Sequence, residues 1–242
     1  AYFVLGKIAL DKRDLAKAQE NFAKYAEKSP NDIQAHRALS LAYMEAKNVE
    51  GAEASLVQIL KLEPNDLVAT VSMGHVKFEK GEINEAVSYY EKAYKIDKQE
   101  EFLYLMGSAY YLSGQYEAAI QRFATLLKEN SHHMGARYFT ADSLLKLRRL
   151  DEAEADFKSL LQSMPDYTYI KLKLAEIEHL RGQDSSAVES TKSLLNKNQN
   201  ADDRHFGAVL LRRMGGLDES LKIHKQLVKD YPENDRFHVY LA

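Results

Sequence analysis

The residues that most resemble a chemical site in this sequence are two adjacent histidines, His132 and His133. Imidazole nitrogens ligate zinc, but a protein zinc site needs three or four ligands. No further histidine lies near this pair at a helical spacing, and the sequence around it does not supply a full set of ligands. We therefore interpret the two histidines as residues of a solvated loop, and we expect neither a metal nor another cofactor.

Paired carboxylates are the second candidate for chemistry, because two neighbouring acids can share general acid and base roles. Glu100-Glu101 and Asp202-Asp203 both stand at the start of a segment with helical periodicity, where carboxylates favour the positive end of the helix dipole. The sequence contains no HExxH motif, phosphate-binding glycine loop, G-x-S-x-G elbow or cysteine. These features predict a protein that is not an enzyme.

Composition restricts the class of protein further. The chain has 242 residues, of which 45% are hydrophobic and 29% charged, as is typical of a folded, helix-rich protein. With 11 glycines and 4 prolines it has too few turn residues for an all-β fold. The net charge of −3 favours neither nucleic acid nor an anionic membrane as a partner. The chain begins at Ala1 and has no apolar run of membrane-spanning length, so we expect no direct membrane insertion and a piece of a longer protein.

Small residues recur along the chain in two series, each with successive spacings of 34, 34, 33, 34, 34 and 33. The first series is Gly6, Ser40, Gly74, Gly107, Ala141, Ala175 and Ala208, with Ala242 as its continuation. The second series is Ala18, Ala52, Ala86, Ala119, Ala153, Ala187 and Ser220. Apolar residues three and four positions apart surround both series and predict two helices per repeat, which pack closely where the side chains are small.

Turn residues fall between the predicted helices. Gly81, Gly114, Gly182 and Gly215 occupy the turn inside their repeats, where glycine adopts a positive φ at little cost. The prolines stand just past the second helix, which they cannot continue, at Pro30, Pro64, Pro165 and Pro232. The two repeats of 33 residues have Lys98 and Gln199 in place of this proline, and we expect a tighter connection there.

This pattern resembles the tetratricopeptide repeat, which has a period of 34 residues. The shared positions are small residues at the eighth and twentieth, an aromatic residue or leucine at the twenty-fourth and a proline near the thirty-second. The resemblance implies an all-α fold, a right-handed superhelical solenoid of helix-turn-helix repeats. We predict a single array over residues 1–242, with repeats at 1–32, 33–66, 67–99, 100–133, 134–167, 168–200 and 201–234. Residues 235–242 form the first helix of an incomplete eighth repeat.

The same resemblance implies a concave groove, lined by the first helices, that binds a protein or peptide. Carried over by register, the predicted groove residues include Arg37, Leu41, His75, Tyr104, Ser108, Tyr111, Tyr138, Asp142, Glu176, His179 and Arg212. The three tyrosines gather in repeats four and five, and tyrosine suits a binding hot spot. Packing between neighbouring first helices explains them equally well, and both interpretations stay open.

One subtype of the family holds a ligand carboxylate with lysine, asparagine and arginine side chains on its first helices. The corresponding positions here are Lys7, Ala38, Val68 and Ser72, of which Lys7 alone is basic. We therefore expect no carboxylate clamp.

The leading hypothesis is a non-enzymatic scaffold that binds a protein or peptide segment in this groove. The alternative is a regulatory or targeting arm of a larger bacterial envelope, exopolysaccharide-export or glycosyltransferase system. The segments YFVLGKIAL, DLAKAQENFAKY and SPND are similar to bacterial envelope lipoproteins of the PEP-CTERM and exopolysaccharide systems, which implies the periplasm or cell envelope rather than the cytoplasm. A third possibility is self-association through the C-terminal half-repeat, which carries Phe237, Val239 and Leu241.

Overall fold

A computed structural model describes residues 1–197 and 200–240, without the side chain of Lys197. These residues form α-helices joined by short turns and contain no strand, which confirms the predicted all-α class. The chain divides into two compact units, residues 1–139 and 140–242. The single array over the whole chain stays a prediction, and each unit is described by itself below.

The first unit contains four complete helix pairs and the start of a fifth. Its helices are α1 (Tyr2–Asp11), α2 (Leu15–Lys28), α3 (Ile33–Glu45), α4 (Val49–Leu62), α5 (Leu67–Glu79), α6 (Ile83–Ile96), α7 (Glu100–Leu112) and α8 (Tyr116–Glu129). Helix α9 (Met134–Lys146) contains the boundary between the units. Odd-numbered helices are the first helices of their repeats, and even-numbered helices are the second.

The second unit continues the same alternation of first and second helices. Its remaining helices are α10 (Leu150–Ser163), α11 (Thr168–Leu180), α12 (Asp184–Lys197), α13 (Ala201–Arg213), α14 (Leu217–Asp230) and α15 (Asp235–His238). Phe237 of α15 is buried, whereas Val239 is exposed, so the terminal half-repeat buries part of its apolar surface on the repeat before it. Leu241 and Ala242 lie outside the described residues, and self-association through this end stays a prediction.

Small residues allow the two helices of a repeat to approach each other closely. A β-carbon added to Gly107 would lie 2.5 Å from Cε1 of Phe123, and one added to Gly6 would lie 2.5 Å from Cε1 of Phe22. Both rings are almost completely buried. The aromatic ring of the second helix therefore packs directly on the backbone of the first, which explains why the sequence repeats a small residue at this position.

The connections between helices follow the predicted pattern. Most second helices are joined to the next repeat by four residues, such as 63–66 around Pro64, but α6 and α7 are joined by 97–99 alone. This confirms the tighter connection predicted at Lys98, while Gln199 lies outside the described residues. No helix in the described part of the chain is long and apolar enough to cross a membrane.

Every turn inside a repeat places its middle residue in the left-handed region of the backbone. The four predicted glycines have φ between 76° and 85°, and Arg13, Lys47 and Arg148 adopt φ of 57°, 55° and 61° at the equivalent positions. A β-carbon in this region is strained, so these three residues are held there by the packing of the helices on either side.

This strain predicts opposite effects for two substitutions. Gly114→Ala should lower the free energy of unfolding by about 1–2 kcal/mol, although its new methyl group would have no neighbour within 4 Å. Arg13→Gly, at an exposed position, should raise the free energy of unfolding by about 0.5–1 kcal/mol. Urea unfolding followed by circular dichroism measures both values, and a loss of stability in Arg13→Gly would contradict this account.

Candidate functional site

Arg37, a predicted groove residue on α3, is held in an ion pair within the protein. Its guanidinium pairs with Asp66 and lies 3.3 Å from Oε2 of Glu63. Asp66 also accepts a hydrogen bond of 2.7 Å from the backbone N–H of Ala69 and so caps α5. Burial raises the pKa of the Asp66 carboxyl, but these bonds outweigh it and hold the pKa below its usual value. Arg37 therefore ties α3 to the start of α5.

Lys77 on α5 is neutralised in the same way. Its Nζ lies 2.8 Å from Glu53, 2.6 Å from Glu82 and 2.9 Å from Glu85, which belong to α4, the turn after α5 and α6. Hydrogen bonds to these carboxylates raise the pKa of Lys77 well above its usual value, led by the bond to Glu53. The remaining cation of α1, α3, α5 and α7, Lys7, lies 4.8 Å over the ring of Phe3.

Five exposed carboxylates of the same first helices have no ion pair within residues 1–197 and 200–240: Asp11, Glu45, Glu79, Glu100 and Glu101. The first three are the last residues of α1, α3 and α5. A carboxylate there meets the negative end of the helix dipole and is unfavourable. Since Arg37 and Lys77 are paired, these helices carry uncompensated negative charge.

Exposed apolar side chains accompany this negative charge. Leu41 and Met44 on α3 are 47% and 38% exposed, Val68 on α5 is 72% exposed, and Leu112 on α7 is 66% exposed. Val4, Leu5 and Ile8 on α1 are exposed as well. Among the described residues of the first unit, the second helices contribute Val57 and Ile96 to this set. Exposed apolar area is therefore concentrated on the first helices, as expected of a binding surface.

A cleft of about 540 Å³ lies between the α3–α4 hairpin and α5. Its lining residues are Met44, Lys47, Asn48, Val49, Ala52, His75, Val76 and Glu79. His75 and the buried Tyr90 share a hydrogen bond of 3.0 Å between Nδ1 and the hydroxyl oxygen. Desolvation lowers the pKa of His75, against the opposing effect of the Glu101 and Glu79 carboxylates, so His75 is neutral at pH 7. Burial raises the pKa of Tyr90 to about 12.

We call the face formed by Leu41, Met44, His75, Glu79 and Glu101 the α3–α5–α7 face. Of these residues, Leu41 and His75 belong to the predicted groove set, and Met44, Glu79 and Glu101 were missed by sequence reasoning. Met44 stands at the repeat position of Tyr111, so the register that selected the tyrosine would also have found the methionine.

The three predicted tyrosines are half-buried and make ring contacts within the protein. Tyr104 packs near the rings of Phe139, Phe123 and His133, with centroid distances of 6.1, 5.9 and 5.0 Å. Tyr111 and Tyr138 lie 4.7 and 5.3 Å from the ring of Phe139. This geometry favours packing over partner contact for the tyrosines, and their role in binding stays a prediction.

Two further residues of the first unit are Ser108, from the predicted groove set, and His133, from the predicted solvated loop. The hydroxyl oxygen of Ser108 on α7 is buried and has no hydrogen-bond partner among the described residues. The Nδ1 atom of His133 accepts a hydrogen bond of 3.0 Å from the backbone N–H of Ala136 at the start of α9. No group of three or more potential metal ligands occurs in the part of the chain that the structure describes.

The second unit brings two predicted groove residues, Asp142 and Glu176, into one buried ionic cluster. Lys173 on α11 is 4% exposed, and its Nζ lies 2.8 Å from Oδ1 of Asp142 on α9 and 3.3 Å from Oε2 of Glu176. Nη1 of Arg213 on α13 lies 3.3 Å from Oε1 of Glu176. Burial lowers the pKa of Lys173, but the two carboxylates outweigh this effect and raise it.

Sequence reasoning missed Lys173, although a signal for it existed. Lys173 stands at the repeat position of Phe139 and Phe206, which the register marks as an interior position. Its Nζ lies 4.8 Å from the centre of the Phe206 ring and 5.6 Å from that of Tyr169. The cluster links three successive first helices, α9, α11 and α13.

The last two predicted groove residues lie apart from this cluster. Nδ1 of His179 is 2.5 Å from Oδ1 of Asp184, at the turn between α11 and α12. Arg212 donates a hydrogen bond of 3.4 Å to the carbonyl oxygen of Tyr240, and its guanidinium lies 5.8 Å from the centre of the Tyr240 ring. Arg212 therefore contacts the segment that follows α15.

The packed helix pairs, the small residues between them and the turns define a helix-turn-helix repeat protein of the solenoid class. A family model described as tetratricopeptide repeat matches residues 9–71. A second model, described as anaphase-promoting complex, cyclosome, subunit 3, matches residues 79–159.

Known proteins agree with this class. A TPR repeat-containing protein of Methanocaldococcus jannaschii is 22% identical over 232 residues, which are 96% of this chain and 38% of that protein. DnaJ homolog subfamily C member 3 of Bos taurus is 28% identical over 133 residues, which are 52% of this chain and 26% of that protein. The crystal structure of a tetratricopeptide repeat protein from Parabacteroides merdae covers 99% of this chain and 96% of its own, with a TM-score of 0.70 and 18% identity.

The family models, the relatives and the solved structure together support a tetratricopeptide repeat protein, as the resemblance in the sequence predicted. The fold of the chain is consistent with a protein–protein interaction scaffold, and tetratricopeptide repeat proteins are generally not catalytic. The chain spans well under half the length of the two curated relatives.

Proposed function

We propose that the protein is a non-enzymatic scaffold whose α3–α5–α7 face binds a peptide segment of a partner protein. The observation that supports this proposal most strongly is the concentration of exposed apolar side chains on the first helices. Leu41 and Met44 provide apolar area that a bound segment would remove from water, at roughly 1.5–3 kcal/mol for each fully buried side chain.

The shape of the face supports the same proposal. Met44 and His75 line a cleft of about 540 Å³, which is large enough for one or two side chains of a bound segment. The cleft lies between helices whose relative position is fixed by the Arg37–Asp66 and Lys77–Glu53 ion pairs. A surface held in this way loses little conformational freedom when a peptide binds.

The face can be tested with a random library of 12-residue peptides selected on the whole chain. The double variant Leu41→Ser/Met44→Ser should bind the selected peptides at least about tenfold more weakly, because the two lost apolar contacts are together worth about 1.4 kcal/mol or more. Fluorescence anisotropy with labelled peptides measures this loss.

Val57→Ser provides the matched control, because Val57 is 48% exposed, close to the 47% of Leu41, but lies on the second helix α4. This variant should bind the peptides as the wild type does, within about twofold. The proposal is wrong if no peptide is selected, or if the selected peptides bind both variants equally well.

The alternative role, as an arm of a larger envelope, exopolysaccharide-export or glycosyltransferase system, stays a prediction, as does location in the periplasm or cell envelope. The lengths of the curated relatives, which extend well beyond the matched part, are compatible with such an arm. A catalytic domain, signal peptide or lipidation site in the flanking sequence would support this role.

A further inference from the structure

We propose that the segment bound by the α3–α5–α7 face is basic and amphipathic, with lysine or arginine side chains beside the apolar residues that enter the cleft. This inference rests on the proposed function and adds the chemistry of the partner. It follows from an imbalance in how the charges of the first helices are used.

The positive charges on this face are already engaged. Arg37 is paired with Asp66 and Glu63, and Lys77 is surrounded by three carboxylates within 2.9 Å. An acidic segment would therefore find no free cation on α3, α5 or α7 among the described residues. It would instead meet carboxylates of its own sign. Lys47, in the turn after α3, lines the cleft without an ion pair to any described residue, but it is a single cation beside three exposed carboxylates, Glu45, Glu79 and Glu101.

The negative charges on this face are free. Glu79 lines the cleft together with Met44 and His75, and Glu101 acts electrostatically on the same imidazole. Both carboxylates therefore lie near His75, Glu79 on α5 and Glu101 on α7. Neither forms an ion pair in the part of the chain that the structure describes.

The same charge recurs at the ends of the preceding first helices. Asp11, Glu45 and Glu79 occupy equivalent repeat positions, each as the last residue of its helix. A carboxylate at a helix C-terminus destabilises the helix by a few tenths of a kcal/mol. A bound cation would offset this destabilisation at each position and would neutralise the carboxylate at the same time.

Bound apolar side chains would strengthen this selection. When a segment covers Leu41 and Met44, water leaves the neighbourhood of Glu79, and the effective dielectric constant falls. At 4 Å, the attraction between a lysine and a carboxylate rises from about 1 kcal/mol in water to about 4 kcal/mol near a protein surface. A lysine or arginine close to the buried apolar residue is therefore favoured, and an acidic residue there is opposed.

The peptides selected on the whole chain test this inference directly. They should be enriched in lysine or arginine beside leucine, methionine or phenylalanine. Replacing the basic residues of the tightest peptide with glutamine should weaken its binding to the wild type at least about fivefold at 50 mM salt. Raising the salt to 0.5 M should reduce this difference without removing it, because the Debye length then falls below about 5 Å but a partly buried pair is screened less than an exposed one.

Two double variants of the protein locate the effect. Glu79→Gln/Glu101→Gln should bind the basic peptide and its glutamine derivative equally. The control variant is Glu50→Gln/Glu117→Gln, which removes two exposed carboxylates from the second helices α4 and α8 and changes the net charge equally. It should still bind the basic peptide more tightly than the glutamine derivative. Selected peptides without basic residues, or an equal preference in both double variants, would overturn the inference. If those peptides still lose affinity on Leu41→Ser/Met44→Ser, the proposed function stands, and only the partner's charge is wrong.

Discussion

Lys173→Met should lower the free energy of unfolding by about 3–5 kcal/mol, the largest effect expected of a single substitution in the second unit. Lys173 is 4% exposed, and Asp142 and Glu176 beside it are buried as well. Methionine fills a similar volume, so the loss comes from two buried carboxylates that no longer have the ammonium group between them. Urea unfolding followed by circular dichroism measures the change.

Lys24→Met is the control for this substitution, because Lys24 forms an ion pair of 2.6 Å with Glu20 in which both side chains are largely exposed. Solvent screens such a pair, and its loss should have no measurable effect on stability. The triple variant Lys173→Met/Asp142→Leu/Glu176→Met, which removes the carboxylates as well, should recover much of the lost free energy of unfolding. A loss below about 1 kcal/mol in Lys173→Met would contradict the role of the cluster.

Acidification should weaken the C-terminal end of the second unit as the pH falls below about 6.5. His205 on α13 and His224 on α14 face each other, with 3.2 Å between Nδ1 of His205 and Nε2 of His224. The ring of Tyr240 stacks on His224 at 4.8 Å, and Phe237 lies 5.2 Å from His205. Protonating both imidazoles would place two positive charges against each other inside this contact.

The neighbouring charges give the direction of the effect. Desolvation lowers the pKa of both histidines. For His205, His224 and Arg236 lower the pKa further, and Asp202 raises it. For His224, the hydrogen bond with the Ser220 carbonyl raises the pKa, and Arg212 lowers it. Unfolded histidine takes up its proton near pH 6.5, before the folded residues do, so stability is full above that pH and falls below it. Each histidine contributes at most about 1.4 kcal/mol per pH unit.

His224→Phe should flatten this dependence, because phenylalanine does not titrate. The fold should accept phenylalanine there, since Phe123 and Phe157 occupy the equivalent position in earlier repeats. Urea unfolding midpoints measured between pH 7.5 and 5.5 follow this dependence. Exposed carboxylates titrate below that pH range and do not contribute to it. His132→Gln, in an exposed loop, should keep the dependence of the wild type. Equal pH dependence in the wild type and His224→Phe would show that other groups are responsible.

The fold was predictable from sequence because its determinants are periodic. Small residues at equivalent positions, such as Gly6, Gly74 and Gly107, marked where two helices touch, and the prolines marked where repeats end. Arg13 and Lys47 show that the position in the repeat predicts the backbone conformation even where the residue type does not. Neither residue favours positive φ, and only their alignment with turn glycines such as Gly81 indicates that backbone conformation.

The candidate face was less predictable, because exposure depends on what the neighbouring repeats cover. Register selected Tyr104 and Tyr111, but Phe139 lies against both rings. The register also places Met44 at the position of Tyr111, but Met44 was not selected. Met44 is exposed because no aromatic residue equivalent to Phe139 covers it. Lys173 shows the same limit, since its partner Asp142 is 31 residues away and only the fold places the two charges in contact.

The binding face is tested most directly by following the imidazole resonances of the whole chain while a selected peptide is added. His75 lies in the cleft beside Met44 and Glu79, whereas His132 lies in an exposed loop and has Ser131 as its neighbour. Our account predicts that the ring protons of His75 shift as the peptide saturates the protein, while those of His132 stay in place. Saturation with an unchanged His75 resonance would contradict it.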